Sequence, residues 1–153
     1  MESSDNQYAG ASIVVVSHHE GEDLLRTVRG LVDALPSNVE IIVVADASTD
    51  GRIEALPGEG IRVLRPESRL GIASARNLGA AQSRGEVIVF SDAHVDATPG
   101  FLDPVRAVLG RPGVGAVGPV VSTRDDPSVK GFGFRRRDAA SNIERLGKQG
   151  PDP

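Results

Sequence analysis

The segment Glu86-Val-Ile-Val-Phe-Ser-Asp-Ala-His-Val-Asp96 decides how this chain is read. Its short apolar run, Val87 to Phe90, has the length and composition of a buried strand, and Asp92 and His94 follow where that strand should end. Side chains alternate along extended backbone, so residues two apart point the same way and can close on one divalent ion. In isolation the pair also reads as turn chemistry, with Asp92 capping the next turn or helix and His94 on the surface. The surrounding sequence separates these readings.

Working outward, apolar β-branched runs recur at Ser12 to Ser17, Val39 to Ala45 and Ile61 to Leu64, and each predicts a strand. Between the first two, Leu24, Leu25, Val28, Leu31, Val32 and Leu35 recur at helical spacing, which predicts a helix over 22–35 that Pro36 ends. A second helix is predicted over 70–83, with Ile72, Ala75, Leu78 and Gly79 toward the sheet, and a third over 101–109. Val114 to Val121 reads as a fifth strand. Strand alternating with helix defines an α/β protein with a doubly wound, mainly parallel sheet. Aromatics make up only 3% of residues, so Val, Ile, Leu and Ala build the core and the strands read as buried on both faces. Residues 1–10 are polar and read as a flexible N-terminus, 11–123 as the core, and 124–153 as a loop-rich connection toward a missing second half. In that last stretch only Ala139 to Leu146 has a helical pattern.

The composition narrows the function. A chain of 153 residues, 39% apolar and 25% charged, is one soluble globular domain or a piece of one. It has no cysteine, which excludes thiolate chemistry and a disulfide scaffold and fits a cytoplasmic protein. No apolar run approaches the roughly 18 residues of a membrane span, so no transmembrane segment is expected. A net charge of −4 gives no general attraction to nucleic acid, and an anionic ligand needs local donors or a metal.

In an open α/β sheet, ligands sit beyond the carboxyl ends of the strands. Those ends are polar here: Ser17-His18-His19-Glu20, then Asp46-Ala47-Ser48-Thr49-Asp50-Gly51, then Ser91-Asp92-Ala93-His94. Turn chemistry accounts for the second cluster taken alone, and a solvated loop for the first. Neither histidine of the first lies in an H-E-x-x-H helix, so a zinc protease is excluded on pattern.

Taken together, Ser12-Ile-Val-Val-Val-Ser-His-His-Glu20, Glu40-Ile-Ile-Val-Val-Ala-Asp-Ala-Ser-Thr-Asp-Gly51, Gly71-Ile-Ala-Ser-Ala-Arg-Asn-Leu-Gly79 and Gly85-Glu-Val-Ile-Val-Phe-Ser-Asp-Ala-His94 resemble the donor half of a family-two glycosyltransferase with the GT-A fold. The D-x-H in place of the usual D-x-D is also similar to the polypeptide N-acetylgalactosaminyltransferases. The resemblance implies that Ser17, His18 and Glu20 pack against the nucleoside and that Asp46 recognises base or ribose. It implies that Arg76 stands near the nucleotide and that Asp92 and His94 hold a metal on the diphosphate. Where the family often has a second acid before Asp46, this chain has Ala45.

The chemistry of the residues agrees. A divalent cation bridging diphosphate oxygens stabilises the leaving anion as a Lewis acid. One carboxylate with one imidazole favours manganese over magnesium, which prefers all-oxygen shells. A carboxylate at Asp46 can accept the N3–H of uracil, which points to a UDP-sugar, with a GDP-sugar as the main competitor because guanine has an N1–H of its own. Asp96 reads as a surface acid before Pro99, with an outer-shell role as the alternative, and Lys130 with Arg135 to Arg137 reads as a solvated basic face or a flap over phosphates. No catalytic residue is nominated: inverting relatives take their base from the acceptor half, and Glu144 and Asp152 sit in no recognisable setting. The acceptor is unknown. A partner or a continuation of the chain should supply that half. The competing function is a nucleotide-sugar-binding module without turnover. A nucleotidyltransferase would show a Gly-rich loop after its first strand, and Ser17 to Glu20 has none.

Overall fold

The computed structural model describes residues 10–58, 60–126, 128, 130, 131, 134–136 and 143–145. The chain divides into two compact units, Met1–Phe101 and Leu102–Pro153, and each is described by itself.

The first unit is built on strands β1 (Ala11–Ser17), β2 (Val39–Ala45), β3 (Ile61–Leu64) and β4 (Val87–Asp92), with helices α1 (Glu22–Ala34) and α2 (Ile72–Ala81). The four strands are parallel in the order β3-β2-β1-β4. The chain therefore steps outward from β1 to β3, then returns past β1 to lay down β4. Right-handed crossovers in opposite directions put α1 and α2 on opposite faces, which makes the sheet doubly wound. Val14, Val16, Ile42 and Val44 form one buried face under Ala75 of α2, with Leu64 and Leu78 packed against it. Ile13, Val15, Ile41 and Val43 are buried on the other face, and α1 brings Leu24, Leu25, Val28 and Leu31 as its buried stripe.

Gly79 lets α2 lie close on β1, since a Cβ there would stand 2.3 Å from Val14 Cγ1. At the amino edge of the sheet, Glu40 is 3% exposed, yet its carboxylate is compensated. It accepts Ser12 Oγ–H at 2.7 Å and Arg84 N–H at 3.1 Å, and pairs with Arg62 Nη1 at 3.1 Å. A buried carboxylate is tolerated only when paired in this way.

The structure departs from the sequence expectations at several places. Burial on both faces holds for β1 and β2 but not for β4, whose Ile88 and Phe90 are 40% and 47% exposed. The reason is position: β4 is an edge strand, and α2 lies against β1 and β2. Helix α2 starts two residues later than the pattern suggested because Gly71 has φ 79°, outside helical geometry, and Ile72 is 53% exposed instead of facing the sheet. Val32 of α1 is likewise 41% exposed.

In the second unit, helix α3 (Leu102–Leu109) forms as its pattern predicts. The fifth strand does not: residues 114–120 carry no regular structure, and only β5 (Val121–Ser122) forms, antiparallel to β6 (Lys130–Gly131). Gly115, Gly118 and Pro119 interrupt the run, and proline cannot donate to a ladder. A further correction is at Ala139 to Leu146, where the pattern predicts a helix. Ile143–Arg145 is instead strand β8, antiparallel to β7 (Phe134–Arg136), and the rest of that segment lies outside the described residues, as do residues 1–9. Local propensity is a weak prior that strand pairing overrides. No helix among the described residues is long and apolar enough to cross a membrane.

Candidate functional site

The registers level the strand ends. Ser17 stands opposite Ala45, and Val16 opposite Asp92, so the polar segments after β1, β2 and β4 emerge together at one edge. Strand order reverses between β1 and β4, and the crevice at such a switch point is where an open α/β sheet binds its ligand.

The loops after β1 and β2 are zipped together. Asp46 N–H donates to Ser17 O at 2.9 Å, and Ser48 Oγ–H to the same oxygen at 3.1 Å. His19 N–H donates to Ser48 Oγ at 3.1 Å, and Gly21 N–H to Asp50 Oδ2 at 3.0 Å. The imidazoles extend the zipper: His18 Nδ1 meets Asp46 O at 2.7 Å, His18 Nε2 meets His19 Nδ1 at 3.3 Å, and His19 Nε2 meets Thr49 Oγ1 at 2.9 Å. Asp46 O can only accept, so a neutral His18 carries its proton on Nδ1 and offers a bare Nε2 to the Nδ1–H of His19. His19 Nε2 is then free to accept Thr49 N–H at 3.2 Å. Two non-glycine residues, His19 at φ 59° and Ala47 at φ 56°, hold left-handed backbone in these loops. Such strain persists only where surrounding bonds over-determine it, and it concentrates at binding sites.

Asp46 is 2% exposed, and both its oxygens are engaged. Oδ1 accepts Leu70 N–H at 2.6 Å and Oδ2 accepts Gly71 N–H at 2.9 Å, tying the end of β2 to the entry of α2. Ser17 is buried, and its hydroxyl meets no partner among the described residues. The Asp50 carboxyl lies below its ordinary value of 3.8, chiefly through the Gly21 N–H, against some burial, with help from Arg52 N–H and the charge of His19.

Beyond β4 the chain leaves extended geometry, so the alternation that aligned Asp92 with His94 stops at Asp92. Each residue meets a partner from another element instead. Arg76 of α2 reaches over the Phe90 ring, 6.0 Å from its centre, and its Nη2 pairs with Asp92 Oδ1 at 2.8 Å. His94 Nδ1 faces Glu20 Oε2 at 3.8 Å across the switch point. The intervening turn is anchored by buried Ala93 and by Thr27 of α1, whose Oγ1 accepts Val95 N–H at 2.9 Å. Asp96 pairs with Arg26 Nε at 3.4 Å on α1. An open groove of about 510 Å³ runs beside α1, lined by the Arg26–Asp96 pair with Arg29, Asp33 and Ala97, and Ser17, His18, Glu20, Asp46, Arg76, Asp92 and His94 lie outside it. Among the described residues no three His, Asp or Glu side chains gather as a metal cage. Asp92 carries oxygen donors, and His94, with Glu20 3.8 Å from it, carries nitrogen and oxygen donors of the kind a first-row cation accepts.

The sequence assigns no role to Thr27, and Ser48 and Thr49 stand there only as turn residues of the second cluster. Thr27 leaves a signal, a hydroxyl inside the apolar stripe of a helix, whereas the other two look like any turn residues.

The family described as Glycosyl transferase family 2 matches residues 12–149. The human polypeptide N-acetylgalactosaminyltransferase 15 is 36% identical over 124 residues, 75% of this chain and 19% of the relative. The human polypeptide N-acetylgalactosaminyltransferase 6 is 36% identical over 126 residues, 76% of this chain and 20% of its own. Among solved structures, the mannosyltransferase PcManGT from Pyrobaculum calidifontis, in complex with GDP-Man and Mn2+, superposes with a TM-score of 0.64 at 25% identity over 76% of this chain and 36% of that one. S. aureus TarS 1–349 in complex with UDP-GlcNAc superposes at 0.59 and 19% identity, over 74% of this chain and 40% of that one. The chain belongs to glycosyltransferase family 2, and its fold is the GT-A fold. It spans about a fifth of the length of the curated relatives it matches.

Proposed function

We propose that this chain, through its core at residues 11–123, binds a nucleotide-diphosphate sugar, most readily a UDP-sugar, for metal-dependent transfer to an acceptor. One observation carries the reading: polar residues from three strand ends meet at the switch point, with Glu20 facing His94 at 3.8 Å and Arg76 holding Asp92 at 2.8 Å. Ser17, His18 and Glu20 take the nucleoside side, and Asp46 reads the base through a lone pair left over from its two backbone bonds. Asp92 and His94 would hold the cation, with manganese preferred over magnesium for a mixed carboxylate and imidazole donor set. Bound there, a divalent cation supplies Lewis-acid stabilisation of the departing diphosphate. Arg76 supplies a further positive charge beside it.

The names of the relatives and neighbours support this reading. Relatives act as N-acetylgalactosaminyltransferases, one neighbour is seen with GDP-Man and Mn2+, and another with UDP-GlcNAc. A chain without cysteine agrees with a cytoplasmic setting. The test is calorimetric titration of UDP, CDP, GDP and ADP with and without Mn2+. UDP binding strengthened by Mn2+ supports the proposal. Equal affinity with and without the metal overturns the metal site, and tighter binding of CDP or GDP overturns the uridine preference.

A further inference from the structure

We infer that Arg76 and a divalent cation compete for Asp92, so that the guanidinium is a displaceable stand-in that couples metal binding to nucleotide binding. The inference rests on the reading of Asp92 as a metal ligand given above. Arg76 Nη2 lies 2.8 Å from Asp92 Oδ1, the distance of a charge-assisted hydrogen bond, and the guanidinium leans on the Phe90 ring. Three features make this a latch and not an anchor. Both side chains are partly open to water, 37% and 51% exposed, so the pair is weak and exchangeable. Arg76 Nε is buried with no acceptor among the described residues, so the guanidinium is not fully satisfied where it stands. Its charge is permanent, so it cannot yield Asp92 by losing a proton.

A doubly charged ion approaching Asp92 therefore meets a like charge on the oxygen it needs. Alone, the ion has to displace Arg76 and leave it without a partner. When a diphosphate arrives with the ion, its oxygens accept the displaced N–H donors, for which the guanidinium fork is well matched. Each ligand then strengthens the other, and by linkage the two factors are equal.

The test measures Mn2+ binding to the full chain by electron paramagnetic resonance, with and without UDP. Arg76→Ala is expected to bind Mn2+ alone roughly twofold to fivefold more tightly than the parent, the range set by exposed ion pairs. The synergy between Mn2+ and UDP should shrink in the same variant. Arg76→Lys keeps the charge and should stay near the parent. If Arg76→Ala does not fold, Arg76→Gln, which keeps the stem over Phe90, carries the same test. Unchanged or weaker Mn2+ binding in the charge-free variant overturns the latch. Asp92→Asn separates this from the parent reading: loss of Mn2+ binding there keeps the metal site whatever Arg76 does, whereas unchanged Mn2+ binding removes both.

Discussion

Asp46 Oδ2 accepts the backbone N–H of Gly71 at 2.9 Å, so a residue just beyond β2 fixes where helix α2 begins and hence where Arg76 stands. Because Oδ1 holds Leu70 in the same way, one buried carboxylate joins two of the four motifs. Removing it orphans two donors. Asp46→Ala should cost roughly 1.5–3 kcal/mol, the range for hydrogen bonds to a charged group, read as a lower urea midpoint. The same variant tests base reading through a ratio that is insensitive to general loss of affinity. The parent should favour UDP over CDP by roughly 1–3 kcal/mol, and Asp46→Ala should level the two. A preference that survives in the variant would make Asp46 scaffold alone.

Close packing gives a second prediction. A methyl at Gly79 would stand 2.3 Å from Val14 Cγ1, and one at Gly85 would stand 2.4 Å from the backbone carbon of Ala11. Gly79→Ala gains helix propensity of up to about 1 kcal/mol, but forcing α2 off the sheet costs about 1–3 kcal/mol, so the net should be destabilising. Gly85→Ala meets backbone, which cannot rotate away, and should cost more. Chemical denaturation of both variants checks the order. Gly79→Ala as the worse of the two would contradict this account.

Legibility in the sequence tracks where the physics is local. The four parallel strands and the first two helices rest on apolar periodicity and on breakers such as Pro36, which the chain carries in plain order. The strand-end clusters were legible because a parallel sheet sends them to one edge. The zipper between the two loops was not, because the left-handed backbone at His19 is held by bonds to Ser48 and Thr49 some thirty residues away. Nor was the break in the alternation after Asp92, which depends on Thr27 gripping Val95. The run Val114 to Val121 failed for the opposite reason, since an apolar run becomes a strand only when a neighbour completes its ladder.

Acid sensitivity gives a third prediction. The Asp50 carboxyl is held below its ordinary 3.8 chiefly by the Gly21 N–H. Its folded value is therefore lower than its unfolded one, and the ionised form is the stabilising one. That contribution is fully present above about pH 4 and is lost as pH falls through the lower folded value. Asp50→Asn should lower stability at neutral pH and flatten the stability profile below about pH 4. Unfolding free energies measured from pH 2.5 to 7 check this, and an unchanged acid slope in the variant would count against the Gly21 contact.

The last prediction separates the fold of the turn after β4 from its chemistry. Thr27 is fully buried on α1, and its Oγ1 accepts Val95 N–H at 2.9 Å, one residue beyond His94. Thr27→Val keeps the volume but removes the acceptor, leaving a donor to be satisfied elsewhere at a cost of about 1–3 kcal/mol. Stability should fall by that order, and the manganese-dependent part of UDP affinity should weaken because His94 loses its fixed position. His94→Ala should do the converse. Its side chain is 61% exposed and adds little to the core, so stability should change by less than about 0.5 kcal/mol while most of the manganese-dependent affinity disappears. Denaturation curves paired with UDP titrations in the presence and absence of Mn2+ give both readouts on each variant. Retention of the full manganese effect in His94→Ala would remove that imidazole from the metal site, and Asp92 would then have to hold the ion without it.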